Sequence, residues 1–135
     1  MKKRPLFGLT VRALIENKDK ILLSKEKKEG TWETPGGSVR LHETLEQALR
    51  REVLEETGYL SKIEKVFLMF IGGSKFVKNT KALCIIYKVK AIKKIKPPLP
   101  DIIGLKWFSK DEIRKLLKEK KVDWHDIKAF RMWVK

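Results

Sequence analysis

Apolar positions recur at every second residue through Phe7, Leu9, Val11, Ala13 and Ile15, the spacing of a strand with one face buried. Asn17-Lys18-Asp19-Lys20 interrupts this as a turn, and Ile21-Leu22-Leu23 begins a returning strand, so the chain opens on a predicted hairpin. Lys25 to Gly30 is a charged loop. The period then changes. Leu45, Ala48 and Leu49 follow the i, i+3, i+4 spacing of a core-facing helical stripe, in a run without internal Gly or Pro that ends at Gly58, a residue suited to a left-handed cap. Beyond it, Ile63 to Ile71 is strand-like, Gly72-Gly73-Ser74 is a predicted turn, and Phe76-Val77 and Ala82 to Ile92 carry the sheet onward. Lys93 to Pro100 is a basic, proline-stiffened connection, and Ile103 to Phe108 is a short strand. Ser109 and Glu112 form a capping box for a helix with Ile113, Leu116 and Leu117 on one face. Asp123 caps a last helix with Trp124, Ile127, Phe130, Arg131 and Val134 near one stripe. This order predicts an α/β (α+β) fold, a mixed sheet with helices packed on it, and contains no internal repeat.

The helical stripe that begins at Leu45 continues through positions 52 and 56, and both are glutamates. At about 100° per residue, Glu55 lies roughly 60° to one side of Glu52 and Glu56 roughly 40° to the other. Three carboxylates therefore share a narrow face that continues a buried one. Like charges at i, i+4 repel and unpaired buried carboxylates cost far more, so a cation belongs among them. A hard divalent ion suits oxygen ligands best. Taken alone, the same residues also describe a solvated helix with pairs such as Arg51 with Glu55.

At 135 residues the chain fits a single domain, 1–135. No run approaches about 18 apolar residues, and Met1-Lys2-Lys3-Arg4-Pro5 leads straight into the alternating pattern, so a cytoplasmic protein without a membrane segment is expected. The single cysteine, Cys84, lies in an apolar run and reads as a buried structural thiol. His42 and His125 are too far apart in sequence to suggest a local zinc site. The formal net charge of +15, from 25 Lys and 7 Arg against 17 acids, favours polyanionic partners. Lysine dominance with one Gln and two Asn also resembles hyperthermophile composition. The lysines spread over nearly every segment, so a nucleotide is a better expected partner than nucleic acid. Five of the seventeen acids fall within 43 to 56, an acidic island in a basic chain.

Gly37, Glu43, Arg51, Glu52, Val53, Glu55, Glu56, Gly58 and Tyr59 stand at the spacing of the Nudix box: Gly, five residues, Glu, seven residues, Arg-Glu, an aliphatic, any residue, Glu-Glu, any residue, Gly, an aliphatic. The stretch resembles that signature at every fixed residue. Tyr59, in place of the usual aliphatic, is the single departure. Trp32-Glu33-Thr34-Pro35-Gly36-Gly37 resembles the Trp-x-x-Pro-Gly-Gly approach of many members. The resemblance extends over about residues 6 to 118 and implies a Nudix-type α/β/α sandwich that hydrolyses a nucleoside diphosphate linked to another group, with Mg²⁺ or Mn²⁺. It implies Glu52, Glu55, Glu56 and the Gly37 carbonyl as metal ligands, Arg51 as the residue orienting the carboxylates, and Glu43 as support for the loop and helix start. A box glutamate is the expected general base, with Asp101 in reserve because Lys106 occupies the position before Trp107 where some relatives carry an acid. Ser74 and Lys75 stand where ADP-ribose hydrolases often carry proline, and Phe76 only approximates the tyrosine of dinucleoside polyphosphate hydrolases. The chain looks most like the MutT-like branch, which cleaves nucleoside triphosphates, oxidised or non-standard ones included, to monophosphate and pyrophosphate. Trp32, Phe76, Asp101 and Lys106 are the expected substrate-side residues, Lys106 as a holder of terminal phosphate, with packing the commoner role for Trp32. The alternatives are an ADP-ribose, nucleotide-sugar or dinucleoside polyphosphate pyrophosphatase, and a non-catalytic or RNA-binding Nudix domain. A monomer or a homodimer fits.

Overall fold

Lys18 and Asp19 both take positive φ, 49° and 61°, the geometry that matches a two-residue turn to strand twist. They close β1 (Phe7–Asn17) onto β2 (Lys20–Glu26). The structure, a computed structural model, describes residues 6–28, 30–73 and 80–135. The hairpin is paired only at its tip, Glu16 with Ile21 and Asn17 with Lys20, after which the two strands part. Into the gap run β3 (Trp32–Glu33), paired with β2, and β4 (Gly36–Ser38), paired with β1 at Thr10, Val11 and Arg12. The Ala13 N–H donates to the Pro35 carbonyl at 2.8 Å, so the backbone between the two short strands is also tied to β1.

The other edge of β1 runs parallel to β6 (Lys81–Lys94), which in turn pairs antiparallel with β5 (Tyr59–Gly73). β7 (Ile102–Ser109) pairs antiparallel with β2. The result is a mixed seven-stranded sheet in the order β3-β2-β1-β6-β5, with β4 on β1 and β7 on β2. Side chains along β1 alternate between two cores, as the strand period requires. Val11, Ala13 and Ile15 pack with Ala48, Leu49 and Val53 of α1 (Leu45–Thr57). Leu14 faces the opposite way, toward Ile113 of α2 (Lys110–Lys118) and Ala129, Phe130 and Trp133 of α3 (Trp124–Trp133). Helices cover both faces, which is the α/β/α layering expected of this element order. Among the described residues no helix is long and apolar enough to cross a membrane.

Each of α1, α2 and α3 starts where its capping residue stands. Thr44 and Gln47 form a reciprocal capping box on α1, Ser109 and Glu112 another on α2, and Asp123 caps α3. Gly58 ends α1 at φ 80°, and a Cβ there would lie 1.9 Å from the Lys96 carbonyl oxygen. Gly58→Ala meets both a left-handed backbone and a backbone collision. It is expected to cost about 2 to 4 kcal/mol in a urea unfolding series, and a loss within a few tenths of zero would count against this packing.

Two sequence expectations change here. Gly72 and Gly73 continue β5 rather than turning, because the Trp124 ring lies where a Gly72 Cβ would be, 2.3 Å from its nearest atom. Lys93 and Lys94 belong to β6. Ser74 and the expected strand residues Phe76 and Val77 lie outside the described residues.

Candidate active site

Gly36 presses against the backbone of β1 more closely than any side chain allows, and Gly37 lies under the Glu52 carboxylate. A Cβ on Gly36 would fall 2.2 Å from the Val11 carbonyl oxygen, and one on Gly37 would fall 2.6 Å from Glu52 Oε1. The first glycine lets the loop lie flat on β1, and the second leaves room for a carboxylate of α1 to come down onto the loop.

Arg51, at the middle of α1, gathers the acids around it. Its guanidinium donates to Glu43 at 2.6 and 2.9 Å, to Glu52 at 2.8 Å and to Glu55 at 3.4 Å, and also reaches the Ser38 carbonyl at 3.2 Å. Hydrogen bonding to Arg51, together with the Arg40 N–H, holds the Glu43 carboxyl down at about 2. The Arg51 guanidinium is pushed up in turn, first by its bond to Glu43 and then by Glu52. One cation thus ties the approach segment, the residue ahead of the N-cap and two helix carboxylates into a single geometry.

Glu56 is different. It is buried, it accepts from the Gly36 N–H at 2.7 Å, and the Ser24 hydroxyl of β2 lies 3.5 Å from its other oxygen. Its carboxyl therefore reaches into the gap where β1 and β2 part. Burial pushes it well above the ordinary carboxylate range, Glu52 and Glu26 push the same way, and Arg12 and the Gly36 N–H oppose. Glu26, at the end of β2, was hidden in a stretch that reads as a solvated charged loop. Glu52, Glu55, Glu56 and the Gly37 carbonyl offer only oxygen donors, and Glu52 helps to raise Glu56. That donor set fits a hard divalent cation.

A second buried polar cluster lies on the α3 side of the same loop. Arg12 donates to the Thr34 hydroxyl at 2.9 Å and also to the Thr34 carbonyl. Thr34 donates to Asp126 through its N–H at 2.9 Å and its hydroxyl at 2.5 Å, and Arg12 lies 3.8 Å from the same carboxylate. His125 Nε2 is 3.4 Å from Glu33 and 3.3 Å from Asp126 yet makes no hydrogen bond, while Nδ1 is 3.5 Å from Asp123. Burial, then a hydrogen bond with Asp123, lifts the Glu33 carboxyl to about 8 against the pull of Arg12. Folding thus favours protonated Glu33, so its contribution to stability is complete below the unfolded value of 4.5 and is lost as pH rises through about 8. Glu33→Gln, whose amide keeps a donor toward Asp123, is expected to gain melting temperature over the parent between pH 5 and pH 9 in chelator-containing buffer. A pH-independent difference would overturn the assignment. No sequence signal marked this cluster, since its members come together only through the fold.

Two of the expected substrate-side residues, Trp32 and Lys106, lie on the α2 side of the sheet. Trp32 packs edge-on against Phe108 with ring centroids 5.0 Å apart, and its ring lies where a Gly104 Cβ would be. Lys106 pairs with Glu112 at 2.8 Å and sits 4.8 Å from the Phe108 ring centroid. Its neighbour Trp107 packs in the α1-side core, whereas Phe108 belongs to the other, so strand alternation sends Lys106 toward α2. Trp32 and Lys106 line a cleft of about 610 Å³ with Lys25, Lys115 and Lys120. Asp101 is exposed before β7, its carbonyl accepting from the Lys27 N–H at 2.9 Å. Phe76 is outside the described residues.

The model of the NUDIX domain matches residues 6–131. An ADP-ribose pyrophosphatase of Methanocaldococcus jannaschii is 39% identical over 72 residues, covering 49% of this chain and 43% of that protein. An oxidized purine nucleoside triphosphate hydrolase of Danio rerio is 37% identical over 76 residues, covering 51% and 49%. The chain thus spans less than half the length of either relative. A solved NUDIX hydrolase from Nitrosomonas europaea superposes with a TM-score of 0.81 at 27% identity, over 95% of this chain and 88% of that one. Since the family match runs from β1 into α3 and the same layers recur in that structure, the chain belongs to the Nudix family of pyrophosphohydrolases.

Proposed function

We propose that this chain hydrolyses a nucleoside triphosphate to the monophosphate and pyrophosphate, with Mg²⁺ as the working ion and Mn²⁺ as a substitute. The observation that carries the proposal is the convergence of Glu52 and Glu56 on Gly36 and Gly37, with Arg51 joining Glu55 to Glu52. These carboxylates, with the Gly37 carbonyl, would hold the ion. When bound, a divalent cation neutralises the phosphates and lowers the pKa of a water.

The protein's own part is positioning and proton transfer. Arg51 keeps Glu52 and Glu55 from swinging apart under their mutual repulsion, and Glu43 fixes Arg51 to the loop. The Gly36 N–H holds one Glu56 oxygen, leaving the other toward Ser24. A box glutamate accepts the proton of the attacking water as its oxygen bonds to phosphorus and the anhydride P–O bond breaks, the electrons leaving with pyrophosphate. Asp101, exposed and on a turn, remains the reserve base. Lys106 is already engaged by Glu112 and is given no phosphate contact in this reading.

The triphosphate choice is supported by the named activity of the Danio rerio relative, and that of the Methanocaldococcus jannaschii relative supports ADP-ribose as the second reading. The experiment is a kcat/KM comparison across ordinary and oxidised nucleoside triphosphates, ADP-ribose, nucleotide sugars and dinucleoside polyphosphates with Mg²⁺ or Mn²⁺. The expected result is a triphosphate as best substrate, with pyrophosphate released. Cleavage of ADP-ribose or a dinucleoside polyphosphate at least tenfold faster than every triphosphate overturns the substrate. Metal-free, salt-dependent RNA binding without turnover overturns the catalytic reading in favour of an RNA-directed domain.

A further inference from the structure

We propose that Glu33, Asp123 and His125 form a second divalent-metal site, one that takes a borderline first-row ion such as Zn²⁺ rather than the hard ion suited to the box. One ligand atom from each of the three lies within 4.8 Å of the others. The independent sign is His125 itself. Its side chain is 7% exposed, and its Nε2 is buried between two carboxylates without a hydrogen bond to either. A buried ring nitrogen that faces carboxylates without a well-formed hydrogen bond leaves a place for an ion among them.

The spacing around Nε2 is that of a coordination shell, while Asp123 lies 3.5 Å from Nδ1 of the same ring. Bonds of about 2.0–2.2 Å from Zn²⁺ to nitrogen and oxygen put adjacent ligands of a tetrahedral shell roughly 3.3 Å apart. Nε2 lies 3.4 Å from Glu33 Oε1, with Asp126 Oδ2 a further 3.3 Å neighbour. Asp123 is held by its own helix, accepting from the Trp124 N–H at 2.7 Å, and His125 sits in the first turn of the same helix. Glu33 approaches from β3. The charged and titratable groups around the site are Glu33, Asp123, Asp126, His125 and Arg12. With the carboxylates ionised and the imidazole neutral they carry two negative charges, which one divalent ion cancels. Imidazole nitrogen selects against Mg²⁺ and for Zn²⁺. A bound ion would tie β3, just ahead of Pro35-Gly36-Gly37, to the start of α3.

The test uses the intact protein in excess Mg²⁺, so that the box carboxylates are occupied. Zn²⁺ is titrated while the imidazole ¹⁵N signals are followed, and only His42 and His125 contribute. The expected result is a shift of the His125 Nε2 signal that saturates at one equivalent, with His42 unmoved. Co²⁺, used as a visible probe under the same conditions, is expected to bind at least tenfold more weakly to Glu33→Gln and to Asp123→Asn, and equally well to Glu52→Gln. A His125 signal that Zn²⁺ leaves in place overturns the proposal, and the wild-type measurement alone decides that if a variant fails to fold. Co²⁺ binding that survives both cluster substitutions but is lost in Glu52→Gln overturns it too, by placing the ion in the box. Neither outcome depends on which nucleotide is cleaved.

Discussion

Glu56→Gln is expected to lower kcat at saturating Mg²⁺ by at least about a hundredfold, since even outer-shell changes around a metal cost 10–100-fold, while the melting temperature in metal-free buffer stays at or above that of the parent. The two halves have one cause. Glu56 is buried beside Glu52 and Glu26, and its carboxyl is pushed well toward the neutral form. Without a metal the protein already tolerates an uncharged group there, and an amide oxygen can accept the Gly36 N–H that now binds Glu56 at 2.7 Å. What the substitution removes is the negative charge that a divalent ion would draw back out of the carboxyl on binding. The measurement is a metal titration of activity paired with a thermal melt with and without Mg²⁺. Parent-like turnover at high Mg²⁺ would sink Glu56 as a ligand. A collapsed melting temperature would show instead that the charge is structural.

The box was readable because its chemistry rides on a period. Leu45, Ala48 and Leu49 set the phase of α1, and Glu52 and Glu56 then had to continue toward the core. Gly36 and Gly58 were readable for a related reason: each sits at a backbone approach or a positive φ that excludes a side chain, whereas Gly37 makes room for the Glu52 carboxylate. The Arg12, Thr34 and Asp126 network was not readable. Its hydrogen bonds span 22 and 92 residues, and each member alone looks like an ordinary surface residue of a highly charged chain. For Lys106 the limit was subtler. Its distance from the box along the chain is uninformative, and which face of β7 it occupies follows only from knowing that Trp107 packs toward α1. The Gly72-Gly73 pair misled because a turn and a strand crossed by an indole ring both need the missing Cβ.

The largest effect on stability is expected from Arg12→Leu, about 3 to 5 kcal/mol in denaturant unfolding, the usual cost of stranding a buried charge by removing its partner. Arg12 is buried, and although burial pulls its guanidinium down, Asp126, Glu56 and Glu33 together raise it above its ordinary value. Asp126 answers in kind. Burial pushes that carboxyl up, yet His125, Arg12 and Thr34 outweigh it and hold it below the usual range. Leucine would leave Asp126 with Thr34 and His125 but no permanent cation, and would take a donor from both Thr34 oxygens. It would also free Glu33 and Glu56 to rise further, since Arg12 opposes both shifts. The sign with pH follows. A depressed Asp126 contributes stability above its unfolded value that fades as pH falls, so the gap between parent and Arg12→Leu is expected to narrow in acid. Arg12→Leu combined with Asp126→Leu is expected to recover a substantial part of the loss, because apolar replacement of a whole buried pair is often close to neutral. A single-substitution cost below about 1 kcal/mol, the value of an exposed ion pair, would mean that Arg12 reaches solvent when the loop breathes. An additive double mutant would mean that Arg12 serves Glu56 rather than Asp126.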